Sequence, residues 1–189
     1  AYVDGCTGVL TALPLEKTLP EASVTELRQG VFRLENYRLR VDIENGVITS
    51  LYDKEARREV IAKGGKAGQL VIFDDKPLSW QAWDVEVFHL GTRKELPASK
   101  TSIGATGPHR VSVITETPIS DRSWVKTTIS LNGFRRDDRS AYVEFESEIE
   151  WHEDKKFLKV EFPVDIRNTE ASYETQYGIT RRPTHYNTR

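Results

Sequence analysis

The stretch from Ala141 to Asp165, AYVEFESEIEWHEDKKFLKVEFPVD, limits most strongly what this chain can become. From Val143 to Trp151 it alternates, with Val143, Phe145, Ile149 and Trp151 on one side and Glu144, Glu146, Glu148 and Glu150 on the other. Successive side chains of a strand point to opposite faces, so the pattern is that of a strand with one buried and one wet face. His152 to Lys155 is polar and reads as a tight turn. A hairpin closed there sets Ile149 opposite Leu158, Ser147 opposite Val160 and Phe145 opposite Phe162. On its outer face Glu148 meets Lys159, which is favourable, and Glu146 meets Glu161, which is not. The expectation is the antiparallel edge of a sandwich, apolar within and charged without.

A second hairpin is signalled at Asn45-Gly46, between the alternating runs YRLRVDIE and VITSLYDK. Both residues tolerate the positive φ that a type I′ turn requires. The implied register sets Ile43 opposite Ile48, Val41 opposite Ser50 and Leu39 opposite Tyr52. Asp53 to Arg57 reads as a turn, Arg58 to Ile61 and Gln69 to Phe73 as short strands, and KGGKAG between them as flexible. Gly91 to Pro108, rich in Lys, Ser, Gly and Pro, reads as a long connection. Arg110 to Glu116, Trp124 to Asn132 and Ser172 to Tyr177 are further strands, with a polar turn at Gly133 to Ser140. Residues 1–30 read as a linker or arm, with Val9 to Leu13 as its strand-like piece and Ala22 to Gln29 weakly helical or extended. Residues 31–189 form the structured domain. Nine or ten short strands without a long helix predict an all-β antiparallel sandwich.

Composition removes several function classes. The net charge of -2, with Lys and Arg scattered along the chain, gives no electrostatic case for nucleic acid. No apolar run approaches the length of a bilayer-crossing helix, and no signal peptide opens the sequence. The absence of methionine points to a piece of a longer protein. Cys6, the single cysteine, has no internal partner for a disulfide. His89, His109, His152 and His185 lack metal-ligand spacing and read as surface or structural residues. No phosphate loop, nucleophile elbow, zinc helix or paired-cysteine motif is present.

Two segments could carry chemistry. Trp80 to Asp84, WQAWD, packs two indoles, an amide and a carboxylate together. Aromatic faces stack on the apolar faces of sugars, and carboxylates accept hydrogen bonds from hydroxyls. Pattern alone favours a plainer reading, with Trp83 in the core and Asp84 capping a loop. The closing segment Arg181 to Asn187 gathers polar and aromatic side chains in an irregular stretch and reads equally as a site loop or as a docking loop. The turn His152, Glu153, Asp154 reads as solvated, and Trp151 as a core or inter-sheet residue.

Three blocks in order, LENYRLRVDIENGVITSLYDKEARREV, QLVIFDDKPLSWQAWDVEVFHLGTRKEL and WHEDKKFLKVEFPVDIRNTEASYETQYGITRRPTHYNT, resemble the C-terminal β-sandwich region of the family 38 α-mannosidases of the cytosolic and fungal vacuolar type. The resemblance implies a supersandwich, galactose-mutarotase-like, incomplete at its C-terminal end. It also implies a parent enzyme that is a zinc-dependent retaining exo-α-mannosidase acting on oligosaccharides and glycans, homo-oligomeric and located in vacuole or cytoplasm. In that family the nucleophile, the zinc ligands and the acid/base belong to a preceding α/β barrel. No catalytic or metal residue is therefore carried onto this chain, and the isolated fragment is expected to be inactive, with no cofactor of its own. What carries over is Phe73, Asp74, Asp75, Pro77, Trp80, Ala82, Trp83 and Asp84 in one block and Arg182 to Thr188 in another. Gln81 stands where the family often has Asp, and Ser79 where it often has Tyr. The substrate-facing candidates are thus Trp80, Trp83, Asp84 and His185. The expected partners are the protein's own catalytic barrel and mannose-containing oligosaccharides, with neither nucleic acid nor membrane. The alternatives are a structural or oligomerisation module and a free-standing carbohydrate-binding sandwich; the second is disfavoured because the tryptophans sit within apolar runs.

Overall fold

The computed structural model describes residues 2–3, 10–11, 21–133 and 141–185. Two short strands, β1 (Tyr2–Val3) and β2 (Leu10–Thr11), pair with each other. The main sheet is an antiparallel meander of β3 (Ser23–Arg28), β4 (Val31–Glu35), β5 (Leu39–Glu44), β6 (Val47–Asp53) and β7 (Arg58–Glu59). A three-stranded sheet follows, made of β8 (Gln69–Asp74), β9 (Lys94–Glu95) and β14 (Lys156–Glu161) with β8 at its centre. The second large sheet runs in order through β10 (Lys100–Gly107), β11 (Arg110–Pro118), β12 (Trp124–Asn132) and β13 (Val143–Glu150). A ribbon of β15 (Glu170–Thr175) and β16 (Gly178–Pro183) comes last. A 3-10 turn at Val87–Thr92 is the only helical element among the described residues.

The five-stranded and four-stranded sheets form the sandwich. Their inner faces contribute Phe32, Leu34, Val41, Ile43 and Ile48 from one side and Val111, Val113, Ile129 and Leu131 from the other, all buried in one cluster. β5 shows the sequence logic most plainly, since Leu39, Val41 and Ile43 are buried and Arg40, Asp42 and Glu44 are only half-covered. Each such apolar side chain contributes about 1.5–3 kcal/mol on burial. Arg33 crosses the outer face to Asp42 in a two-pronged ion pair at 2.6 and 2.8 Å. Buried Asn36 ties the layers together: its Oδ1 accepts from the N–H groups of Arg38 and Leu39, and its Nδ2 donates to Asn132 O at 2.7 Å.

The Asn45-Gly46 turn is type I′ as expected, with φ of 51° and 82°. Ile43 faces Ile48, but the register then slips, so that Val41 faces Leu51 and Leu39 faces Asp53. Thr49 is the extra residue of a bulge. Strict alternation would have aimed Ser50 at the core, whereas the bulge turns Leu51 inward instead.

The expected hairpin of β13 with β14 does not form. β13 pairs with β12, with Ile149 opposite Val125 and Glu148 opposite Lys126. β14 crosses to the edge of β8, with Phe157 opposite Phe73 and Val160 opposite Leu70. The expected inner face is only partly covered: Val143 and Phe145 pack against the core, whereas Ile149 is 53% exposed. Partner choice differed, because β12 and β8 offer long apolar edges and the turn at residues 152–155 spans the gap between sheets. Phe145 and Phe162 still meet, but as rings at 5.3 Å rather than as a ladder pair. Glu146 stands opposite Thr128, and Glu161 pairs with Arg93 at 2.6 Å.

Of three further segments, the first and last follow the expectation and the middle one departs from it. Ala22 to Gln29 is extended and supplies β3. Gly91 to Pro108 is no mere connection, since it holds β9 and β10. Ser172 to Tyr177 belongs to the β15–β16 ribbon, which turns at Gln176 and Tyr177. Of the polar turn after β12, residues 134–140 lie outside the described part. Trp151, beyond the end of β13, is 36% exposed and not a core residue.

Candidate functional site

Between β8 and β9 the chain makes an excursion, residues 75–93, whose base is built and whose tip is bare. At the base Asp74 receives Lys156 and, at 3.0 Å, Lys76. These lysine hydrogen bonds hold its carboxyl below the usual carboxylate range. The Asp74 N–H donates to Thr92 Oγ1 at 2.9 Å, and Asp75 N–H donates to Lys155 O at 2.8 Å. The excursion is thereby closed against itself and against the turn preceding β14.

Its floor is aromatic. Phe73 and Phe157 stack at 5.0 Å with planes 12° apart, and the His89 ring meets each of them at 5.1 Å. Lys159 Nζ lies about as close to both phenyl centroids, 5.1 and 5.0 Å, a cation over aromatic faces. The Nδ1 of His89 lies 2.6 Å from Glu86 O, and Thr92 Oγ1 donates to His89 O at 2.7 Å, which fixes the 3-10 turn. His89 is thus structural, in line with the reading given to the histidines.

The tip is a tight turn in which the N–H groups of Trp83 and Asp84 both donate to Trp80 O, at 2.7 and 2.9 Å. Trp80 adopts φ of 60°, a left-handed conformation rare for so bulky a residue, of the kind that clusters at functional sites. Leu78 N–H donates to Glu86 Oε1 at 3.1 Å, drawing the two limbs together. The indoles are not in the core: Trp80 is 74% and Trp83 88% exposed. Asp84 is exposed, and its carboxylate has no partner among the described residues, so it caps nothing there. Both plainer readings of this segment therefore fail, and so does the objection that the tryptophans are enclosed by apolar runs. Leu78, Val85, Val87, Phe88 and Leu90 of the same excursion are also exposed.

His185 lies elsewhere in the chain, just beyond β16 of the ribbon, and is exposed. Arg181 to Pro183 are strand and not loop; Thr184 turns back, its N–H donating to Thr169 O at 3.1 Å and its Oγ1 to Asn168 O at 2.7 Å. Tyr186 and Asn187 lie outside the described residues. The structure thus brings Trp80, Trp83 and Asp84 onto one turn and sets His185 on a different element. Phe73 and Asp74 lie in the block carried over from the family resemblance, but their contacts with Phe157 and Lys156, and those of His89 with Lys159, are not visible in the sequence, because β14 joins them from 70 or more residues away. Among the described residues no three His, Cys, Asp or Glu side chains come together as a metal site. These residues do not fit a zinc ion.

The model of the glycosyl hydrolases family 38 C-terminal domain matches residues 34–189. The chain belongs to glycosyl hydrolase family 38. Human alpha-mannosidase 2C1 is 41% identical over 179 residues, covering 92% of this chain. Alpha-mannosidase of Saccharomyces cerevisiae is 42% identical over 82% of the chain, and alpha-mannosidase G of Dictyostelium discoideum 40% over 84%. The matched parts amount to only 17%, 15% and 15% of those proteins, so the chain spans about one sixth of the length of these family 38 relatives.

Proposed function

We propose that this chain is the C-terminal accessory sandwich of a zinc-dependent retaining α-mannosidase that removes terminal α-mannose from oligosaccharides and glycans in the cytoplasm or vacuole. The observation that carries the reading is the family 38 match over residues 34–189. In this proposal residues 31–189 are the sandwich and residues 1–30 an arm leading into it, whose last strand, β3, docks on the sheet edge. Zinc, nucleophile and acid/base belong to a catalytic barrel outside this chain, and the assembled enzyme is a homo-oligomer.

Within that enzyme the Trp80 to Asp84 turn faces substrate. An exposed indole offers its face to the apolar side of a pyranose, and the Asp84 carboxylate, without a partner among the described residues, accepts from sugar hydroxyls. A narrow, anchored base supports this role, since a side chain can hold a sugar only if its backbone stays in place. His185, on its separate element, is the second candidate. In the full-length enzyme Asp84→Ala should raise KM for a mannose oligosaccharide about tenfold, the scale of one charge-assisted hydrogen bond. KM for an aryl α-mannoside should change less. Unchanged kinetics on both would remove the turn from the site.

The exposure of Trp80 and Trp83 also favours a second reading, in which the turn binds carbohydrate without the barrel. Titration of this chain with a mannose oligosaccharide, followed by indole fluorescence, separates the two. Saturable binding abolished by Trp83→Ala supports the second reading, and no binding leaves the first.

A further inference from the structure

Between residues 78 and 95 every residue is exposed except Glu86 and His89. The apolar neighbours Val87, Phe88 and Leu90 are all exposed, so they do not anchor the segment. His89 takes that place. Its ring meets Phe73 of β8 and Phe157 of β14, and its Nε2 stands 3.5 Å from Lys159 Nζ. Its other nitrogen, Nδ1, lies 2.6 Å from Glu86 O. A carbonyl oxygen can only accept, so Nδ1 carries the proton and Nε2 turns its lone pair to the ammonium. One tautomer serves both contacts.

Glu86 carries the link outward. Its carbonyl oxygen accepts from the His89 imidazole and from His89 N–H at 3.1 Å, while its carboxylate Oε1 accepts from Leu78 N–H at 3.1 Å. Leu78 and Glu86 stand on opposite limbs of the excursion, one before and one after the Trp80 to Asp84 turn. A continuous line of contacts therefore runs from the aromatic floor through His89, Glu86 and Leu78 to the turn.

We propose that His89 is a positioning residue for the turn: its Nδ1–H fixes Glu86, Glu86 draws Leu78 across, and the spacing of the two limbs sets where Trp80, Trp83 and Asp84 present themselves. The inference rests on the reading that this turn faces a mannose-containing substrate. His89 acts through Glu86 and not on the sugar. The hydrogen bond does the positioning, and not bulk at position 89, because a phenyl ring could rest on Phe73 and Phe157 but offers Glu86 no proton.

The test uses the full-length enzyme with His89→Phe, which keeps a ring on the floor, and His89→Asn, whose amide N–H stands near the place of Nδ1. Two quantities are read: amide hydrogen exchange over residues 78–86 by mass spectrometry, and kcat and KM on a mannose oligosaccharide. His89→Phe should speed exchange there and raise KM about fivefold at unchanged kcat, the scale of one hydrogen bond. His89→Asn should return both towards the values of the unchanged enzyme. Unaltered exchange in His89→Phe would overturn the proposal, and so would a His89→Asn enzyme as loose as His89→Phe. Exchange raised equally at β5 and β11 would overturn it by making His89 a part of the global fold, and a fall in kcat at constant KM by moving its effect from binding to chemistry. Faster exchange confined to residues 78–86 with KM unmoved supports His89 as the anchor of the turn and removes the turn from substrate, so the two readings fail separately.

Discussion

Glu59 ends β7 with a carboxylate that does the work of a missing strand. Its Oε1 accepts from the N–H groups of Leu51, Val60 and Ile61 at 2.8, 3.0 and 3.0 Å, and its Oε2 from Ser50 Oγ at 2.6 Å. Partial burial pushes this carboxyl up, but the hydrogen bonds from Ser50 and the three amides outweigh it, and the net direction is down. A carboxyl whose folded pKa lies below its unfolded value adds stability above the unfolded pKa, about 4.3 for Glu, and loses it as pH falls through the folded value. Glu59→Gln should therefore cost about 1–3 kcal/mol in urea unfolding at pH 7, and the gap from the unchanged protein should shrink steadily below pH 4. A gap that does not vary with pH would mean that the charge is irrelevant. Gly46 is constrained differently. At φ 82° a Cβ would lie 2.6 Å from Ala98 Cβ, so Gly46→Ala meets both strain and a clash. It should lose about 1–3 kcal/mol, read as a lowered melting temperature with unaltered circular dichroism at 20 °C below the midpoint.

At the scale of elements, residues 75–93 form a unit whose order depends on its base. Replacing Asp74 with Ala and Thr92 with Val removes the lysine clamp and the hydroxyl that receives the Asp74 N–H, while leaving the sandwich core untouched. The expected outcome is faster amide exchange across Val87–Thr92, with little change at β5 or β11. Equal loosening everywhere would show that the base belongs to the global fold. What could be read from the amino acids follows from the same distinction between local and distant contacts. The type I′ turn at Asn45-Gly46, the inner face of β5 and the extent of β12 are written in neighbouring residues. The partners of β13 and β14 are not, because alternation fixes which face is buried and is silent about which edge is joined. β10 was missed for a related reason: an edge strand needs no apolar row, and its KTSIGATG bends at Gly104, where a Cβ would lie 2.5 Å from Ser112 Oγ. Of the candidate site, the residue types on the WQAWD turn were legible, whereas their exposure was not, since residue type does not say whether a loop folds back onto the core.

On the scale of the whole molecule, the arrangement of apolar surface is uneven in a way that tryptophan reports. The sandwich buries Leu34, Val41, Ile43, Val111, Val113 and Leu131 completely or nearly so, yet none of the four tryptophans is in that cluster. Trp80, Trp83, Trp124 and Trp151 are 74, 88, 42 and 36% exposed. A family member folded around its core would ordinarily hide such large side chains, and exposed apolar patches of this kind mark surfaces that meet another body. The emission of this chain in its native state should accordingly lie close to that of the denatured chain and be readily quenched by iodide. In the full-length protein the same indoles should respond differently according to their surroundings. If the Trp80 to Asp84 turn sits at a sugar pocket, single-tryptophan variants retaining Trp80 or Trp83 should stay accessible to iodide until a mannose oligosaccharide is added, and then become protected. If the turn is instead packed permanently against another domain, protection should already be complete without sugar, and added oligosaccharide should change nothing.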